Sequence, residues 1–76
     1  MAKREYFIAI PSRRALEREG KDAFVLTILA WDMHPSYRTR TEGDYILISC
    51  NVRSERKRLR EEIEYVYKLP TRTIVR

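Results

Sequence analysis

The sequence predicts an α+β fold: a small open β-sheet in the order β-α-β-β-β-α-β, with a long C-terminal amphipathic helix packed on one face. Three observations lead there. Leu59, Ile63 and Val66 recur at spacings of four and three, which aligns them on one helical face. Two runs rich in aromatic and β-branched residues, Tyr6–Ile10 and Tyr45–Cys50, have strand character. Glu42-Gly43 supplies a turn between the second of these runs and an alternating polar segment before it.

Taken in order, Glu5–Ile10 forms the first strand, which Pro11 ends because proline lacks a ladder donor. Ser12 is placed to cap a short, largely solvated helix over Arg13–Glu19, with Gly20 as its C′ residue and Ala15 and Leu16 as its packing side chains. Ala23–Trp31 is apolar throughout, so its periodicity does not separate strand from helix. Asp22 as a cap and His34-Pro35 as a stop favour helix. The Phe, Val, Thr, Ile and Trp content favours a strand, which is the expectation adopted. Ser36–Thr41 and Asp44–Cys50 form a hairpin, its polar first arm suited to a sheet edge. Ser54 caps the long helix and Pro70 closes it. Thr71–Arg76 returns as a last strand, or else opens a truncated second helix, in which case residues 61–76 resemble a helix-turn-helix pair whose second helix would enter the major groove.

Seventy-six residues make one domain, 1–76, with a small core. Cys50 is the single cysteine, so neither an internal disulfide nor a cysteine-based zinc site forms. The longest apolar run is too short to span a bilayer, and the N-terminus lacks the apolar core of a signal peptide; the expectation is a cytoplasmic protein with no membrane contact.

The net charge of +5 is uneven. Residues 1–22 carry +2, residues 23–52 carry −1 and residues 53–76 carry +4. Twelve arginines stand against four lysines, and a guanidinium fork suits phosphate better than an ammonium does. Arg53, Arg56, Lys57, Arg58 and Arg60 crowd the start of the long helix, while Glu61, Glu62 and Glu64 follow. That order opposes the helix macrodipole, and it makes the helix start a candidate anion site. Arg38, Arg40 and Arg72 are outlying candidates for the same surface.

Catalysis has little support. His34 is the only histidine and sits in a loop, Cys50 ends an apolar strand as a small hydrophobe, and Gly20 and Gly43 are the only glycines, so no phosphate loop exists. The expectation is a non-enzymatic protein without cofactor or metal that binds DNA or RNA through phosphate contacts. The alternative is an interaction module, a small regulator or dimerising subunit, that docks on an acidic protein surface. A homodimer is compatible with either.

Overall fold

The computed structural model describes residues 3–76. Seven elements follow one another: β1 (Tyr6–Pro11), α1 (Arg13–Arg18), α2 (Phe24–Asp32), β2 (Arg38–Glu42), β3 (Tyr45–Ser49), α3 (Arg53–Tyr65) and β4 (Arg72–Val75). The strands form one antiparallel sheet in the order β2-β3-β1-β4. Thus β3 lies between β1 and β2, and β1 lies between β3 and β4. Two split β-α-β units interleave, the ferredoxin-like arrangement. An arrangement of this kind hosts many activities and identifies none.

The segment 23–31 corrects the expected strand: it is helix α2. The Asp22 carboxylate accepts the Phe24 N–H at 2.9 Å, which satisfies one of the free donors at the helix start. Topology supplies the larger reason. β1 and β2 run in the same direction with β3 between them, so their connection must cross over the sheet. Six-residue α1 rises only about 9 Å, against about 20 Å for a six-residue strand. A second helix completes the return, and that tertiary demand outweighs the β propensity of Val25, Thr27 and Ile28.

Other expectations hold locally. Ser12 caps α1 by accepting the Ala15 N–H at 3.2 Å, and Gly20 takes φ +74° just beyond it. Gly43 and Asp44 form a two-residue hairpin turn in which Gly43 adopts φ +59°, the sign a II′ turn needs at its first central position. Residues 72–75 pair with β1, from Tyr6 opposite Val75 to Ala9 opposite Arg72, so the helix-turn-helix resemblance fails at its second helix.

The long helix begins earlier than Ser54 implies. Val52 is extended, and its carbonyl accepts the Arg56 N–H at 2.8 Å, which places Arg53 and Ser54 inside the first turn. It ends at Tyr65, and Lys68 adopts φ +58° in the turn that follows. Leu59 and Ile63 are therefore buried as expected, whereas Val66 is 65% exposed and Tyr67 takes the inward position.

The core lies between one sheet face and the three helices. Ile8, Ile10 and Ile48 meet Leu16, Leu29, Leu59 and Ile63 there. The opposite face carries no helix, yet Phe7, Ala9 and Leu47 are buried on it, with Ile74 packed alongside. Among the described residues, no helix is long and apolar enough to cross a membrane.

Candidate nucleic-acid interface

Strand alternation decides which basic side chains share the helix-free face. Phe7 stands opposite Ser49 on one side and Ile74 on the other, and Ser49 faces Arg38. In the next row that points the same way, Ala9 stands between Leu47 and Arg72, and Leu47 faces Arg40. The sheet therefore gathers Arg38 and Arg40 from one edge and Arg72 from the other onto one surface. Arg76 joins them two residues beyond Ile74, held by reciprocal backbone bonds with Glu5 at 2.7 and 2.9 Å.

These arginines also close the apolar floor. The Arg40 guanidinium lies 5.5 Å from the centre of the Phe7 ring, and Arg72 lies 5.9 Å from that of Tyr45. The charged heads themselves thus lie over the rings, with Phe7 buried beneath and Tyr45 partly open to water. Glu42 is the principal counter-charge: Arg40 approaches it at 3.3 Å, and Arg76 donates to both of its carboxylate oxygens. The Arg76 hydrogen bonds hold the Glu42 carboxyl below the usual carboxylate range. Glu5 shares the face by alternation. Among the described residues, Arg38 and Arg72 form no ion pair there.

The basic start of α3 divides. Arg56 and Arg60 are engaged in the fold. Arg56 lies 4.1 Å from the centre of the Tyr6 ring and donates to the Cys50 carbonyl at 3.2 Å. Arg60 donates to Thr71 and Thr73 at 3.1 and 3.3 Å and pairs with Glu64, one helical turn on, at 3.4 Å. Arg53 and Lys57 are exposed near the helix N-terminus, which has no side-chain cap, and have no ion-pair partner among the described residues.

Arg58 belongs to a different surface. It lines a cleft of about 340 Å³ between the end of α2, the following loop and α3, together with Asp32, His34, Tyr37, Glu55, Glu62 and Tyr67. Three carboxylates and this one guanidinium line the cleft. Burial, followed by the charges of Cys50 and Glu55, raises the Tyr37 hydroxyl. A cleft of that sign repels phosphate. His34 lies in the loop as expected, with its Nδ1 accepting the Ser36 N–H at 3.1 Å.

The eight sequence candidates therefore do not form one patch. Arg38, Arg40 and Arg72 share the helix-free face, Arg53 and Lys57 stand exposed on the helical layer, Arg56 and Arg60 are structural, and Arg58 sits among acids. Arg76 and the half-exposed Tyr45 were missed. The alternation Arg72, Ile74, Arg76 is the signal that finds Arg76 once the C-terminus is known to be a strand. Among the described residues no cluster of three or more His, Cys, Asp or Glu side chains is arranged to hold a metal ion. A scan of protein-family models finds no match to this chain, and searches of curated proteins and of solved structures return no significant one.

Proposed function

We propose that this protein binds nucleic acid, DNA or RNA, chiefly in single-stranded form, through phosphate contacts from its helix-free sheet face. The observation that carries this reading is the assembly of Arg38, Arg40 and Arg72 on one surface over Phe7 and Tyr45. Guanidiniums beside the 39% exposed Tyr45 ring suit a flexible backbone and a stacked base, and this combination is tolerant of sequence. No helix stands on this face to lie in a duplex major groove. Arg53 and Lys57 at the start of α3 provide a second contact region, reached by a strand that passes around the domain. Arg56, Arg58 and Arg60 contribute less, because their guanidiniums are already engaged or lie among carboxylates.

The test is fluorescence anisotropy with single-stranded and duplex oligonucleotides across a salt series. Three phosphate contacts give a log–log slope of about −2 for a single strand. Replacing Arg38, Arg40 and Arg72 together with Gln should abolish most of that slope, and all sequences should weaken alike. Replacing Arg53 and Lys57 should have a smaller effect. The rival is docking on an acidic protein surface, favoured by the same exposed Arg and Tyr side chains. Absence of oligonucleotide binding near physiological salt, with retention of an acidic protein partner that needs these arginines, would establish the rival.

A further inference from the structure

One end of the helix-free face deepens into a cavity of about 340 Å³, bounded by the ends of β1 and α1, the hairpin turn and the approach to β4. That volume is near the low end for small-ligand sites and holds one nucleobase with its sugar. Its walls are flat. Pro11 stands opposite Tyr45 in the last row of the β1–β3 ladder, and Pro70 lines the cavity from the other side. Stacking against such walls accepts any base, because every base has a π-face.

The polar groups at the cavity discriminate. Arg18 donates to Asp44 Oδ2 at 2.6 Å, and the Asp44 carbonyl accepts the Ser12 N–H at 2.8 Å. Asp44 is thus anchored through side chain and backbone, while its Oδ1 has no hydrogen-bond partner among the described residues. Glu19, the other carboxylate there, pairs instead with Lys21 at 3.3 Å. Arg18 is occupied by Asp44, which leaves Arg72, over the Tyr45 ring, as the cation of the cavity without an ion pair among the described residues.

A carboxylate only accepts hydrogen bonds, so it selects an edge that donates. Guanine presents two neighbouring donors, N1–H and N2–H2, at the spacing of the two carboxylate oxygens. Adenine, cytosine and thymine each present one donor group flanked by an acceptor, whose lone pair a carboxylate repels. We propose, on the basis of the nucleic-acid binding set out above, that this cavity holds one base of the bound strand and prefers guanine. Asp44 accepts its N1–H and N2–H2, Oδ2 using a lone pair that Arg18 leaves open, and Tyr45 stacks on its face. Arg72 then meets the phosphate of the same nucleotide, which adds one base-reading position to a surface that otherwise reads only the backbone.

The test compares the all-thymine oligonucleotide with thymine strands that carry one central guanine, adenine or cytosine, by fluorescence anisotropy with the full chain. The guanine strand should bind about tenfold more tightly than the others, as one bidentate base contact does. Asp44→Asn should bring it level with them and leave the all-thymine affinity and its salt slope unchanged, because phosphate contacts carry no base information. Asn is suited to a turn, and the half-exposed Arg18–Asp44 pair contributes little to folding, so this variant should keep the native melting profile. Tyr45→Leu should weaken all four strands together. Equal affinity of the wild-type chain for the four strands, with salt dependence present, overturns the guanine pocket and leaves the arginine face standing. So does a guanine preference that Asp44→Asn retains. Absence of binding to every strand overturns the nucleic-acid reading and the pocket with it.

Discussion

The Arg56 guanidinium lies over the Tyr6 ring, 4.1 Å from its centre, and joins the first turn of α3 to the beginning of β1. Its second tie, to the Cys50 carbonyl, fixes the corner between β3 and α3. Arg56 is thus a structural cation within a segment whose charges look alike in sequence. Arg56→Gln should destabilise the domain by about 1–2 kcal/mol through the lost ring contact and charged hydrogen bond. Lys57→Gln should change stability by no more than about 0.5 kcal/mol, while reducing the salt dependence of binding. Urea denaturation of the two variants separates these roles.

Ile63 is fully buried between α3 and the sheet, whereas Val66 is exposed just past the helix end. Ile63→Ala should cost about 2–5 kcal/mol, a large share of the stability available to a small domain. Val66→Ala should stay within about 0.5 kcal/mol. Thermal melts of the two would show equal shifts only if the helix presented its other face to the core.

Glu42 restrains two of the arginines on the helix-free face. Glu42→Gln removes that counter-charge and frees Arg40 and Arg76 for phosphate. Affinity for single-stranded nucleic acid should rise, and the salt slope should steepen by about 0.7 for each phosphate gained. A variant with unchanged affinity and slope would place the binding surface elsewhere.

Tyr67 is buried and donates its hydroxyl to the Asp32 carboxylate, tying the turn after α3 to the last turn of α2. Burial first, and then this hydrogen bond, push its pKa from 10 to about 12. Between those values the native state retains a proton that the unfolded chain has released. This contribution to stability is therefore complete below about pH 10 and declines as the pH rises toward 12. Denaturation measured from pH 8 to 12 should show a shallower decline for Tyr67→Phe than for the wild type.

Much of this architecture was legible in local signals, because several elements carry their own start and stop chemistry. Ser12 with Gly20 delimits α1, and Gly43 sets the hairpin register that makes β2 an edge. What the sequence left ambiguous depended on the rest of the chain. Ala23–Trp31 has strand composition, and only the crossover from β1 to β2 requires it to be helical. Val66 continues the apolar period of α3, but the helix stops one residue before it, so Tyr67 turns inward instead. The site was legible as residue types rather than as a surface. Arginines that are neighbours in α3 separate onto different flanks, while Arg38, Arg40 and Arg72, which come from strands at opposite edges, converge.

Cys50 is 3% exposed beyond the end of β3, and its N–H donates to the Tyr6 carbonyl at 3.0 Å. Burial, with the Glu55 charge adding to it, raises its thiol pKa. A thiol held protonated and out of water reacts slowly with alkylating agents and oxidants. Modification then requires the Arg56 corner to part, so alkylation proceeds at the frequency of that opening. The residue acts as a built-in clock for the junction between β1, β3 and α3. Its labelling rate measures how firmly that junction stays shut, without an engineered reporter residue.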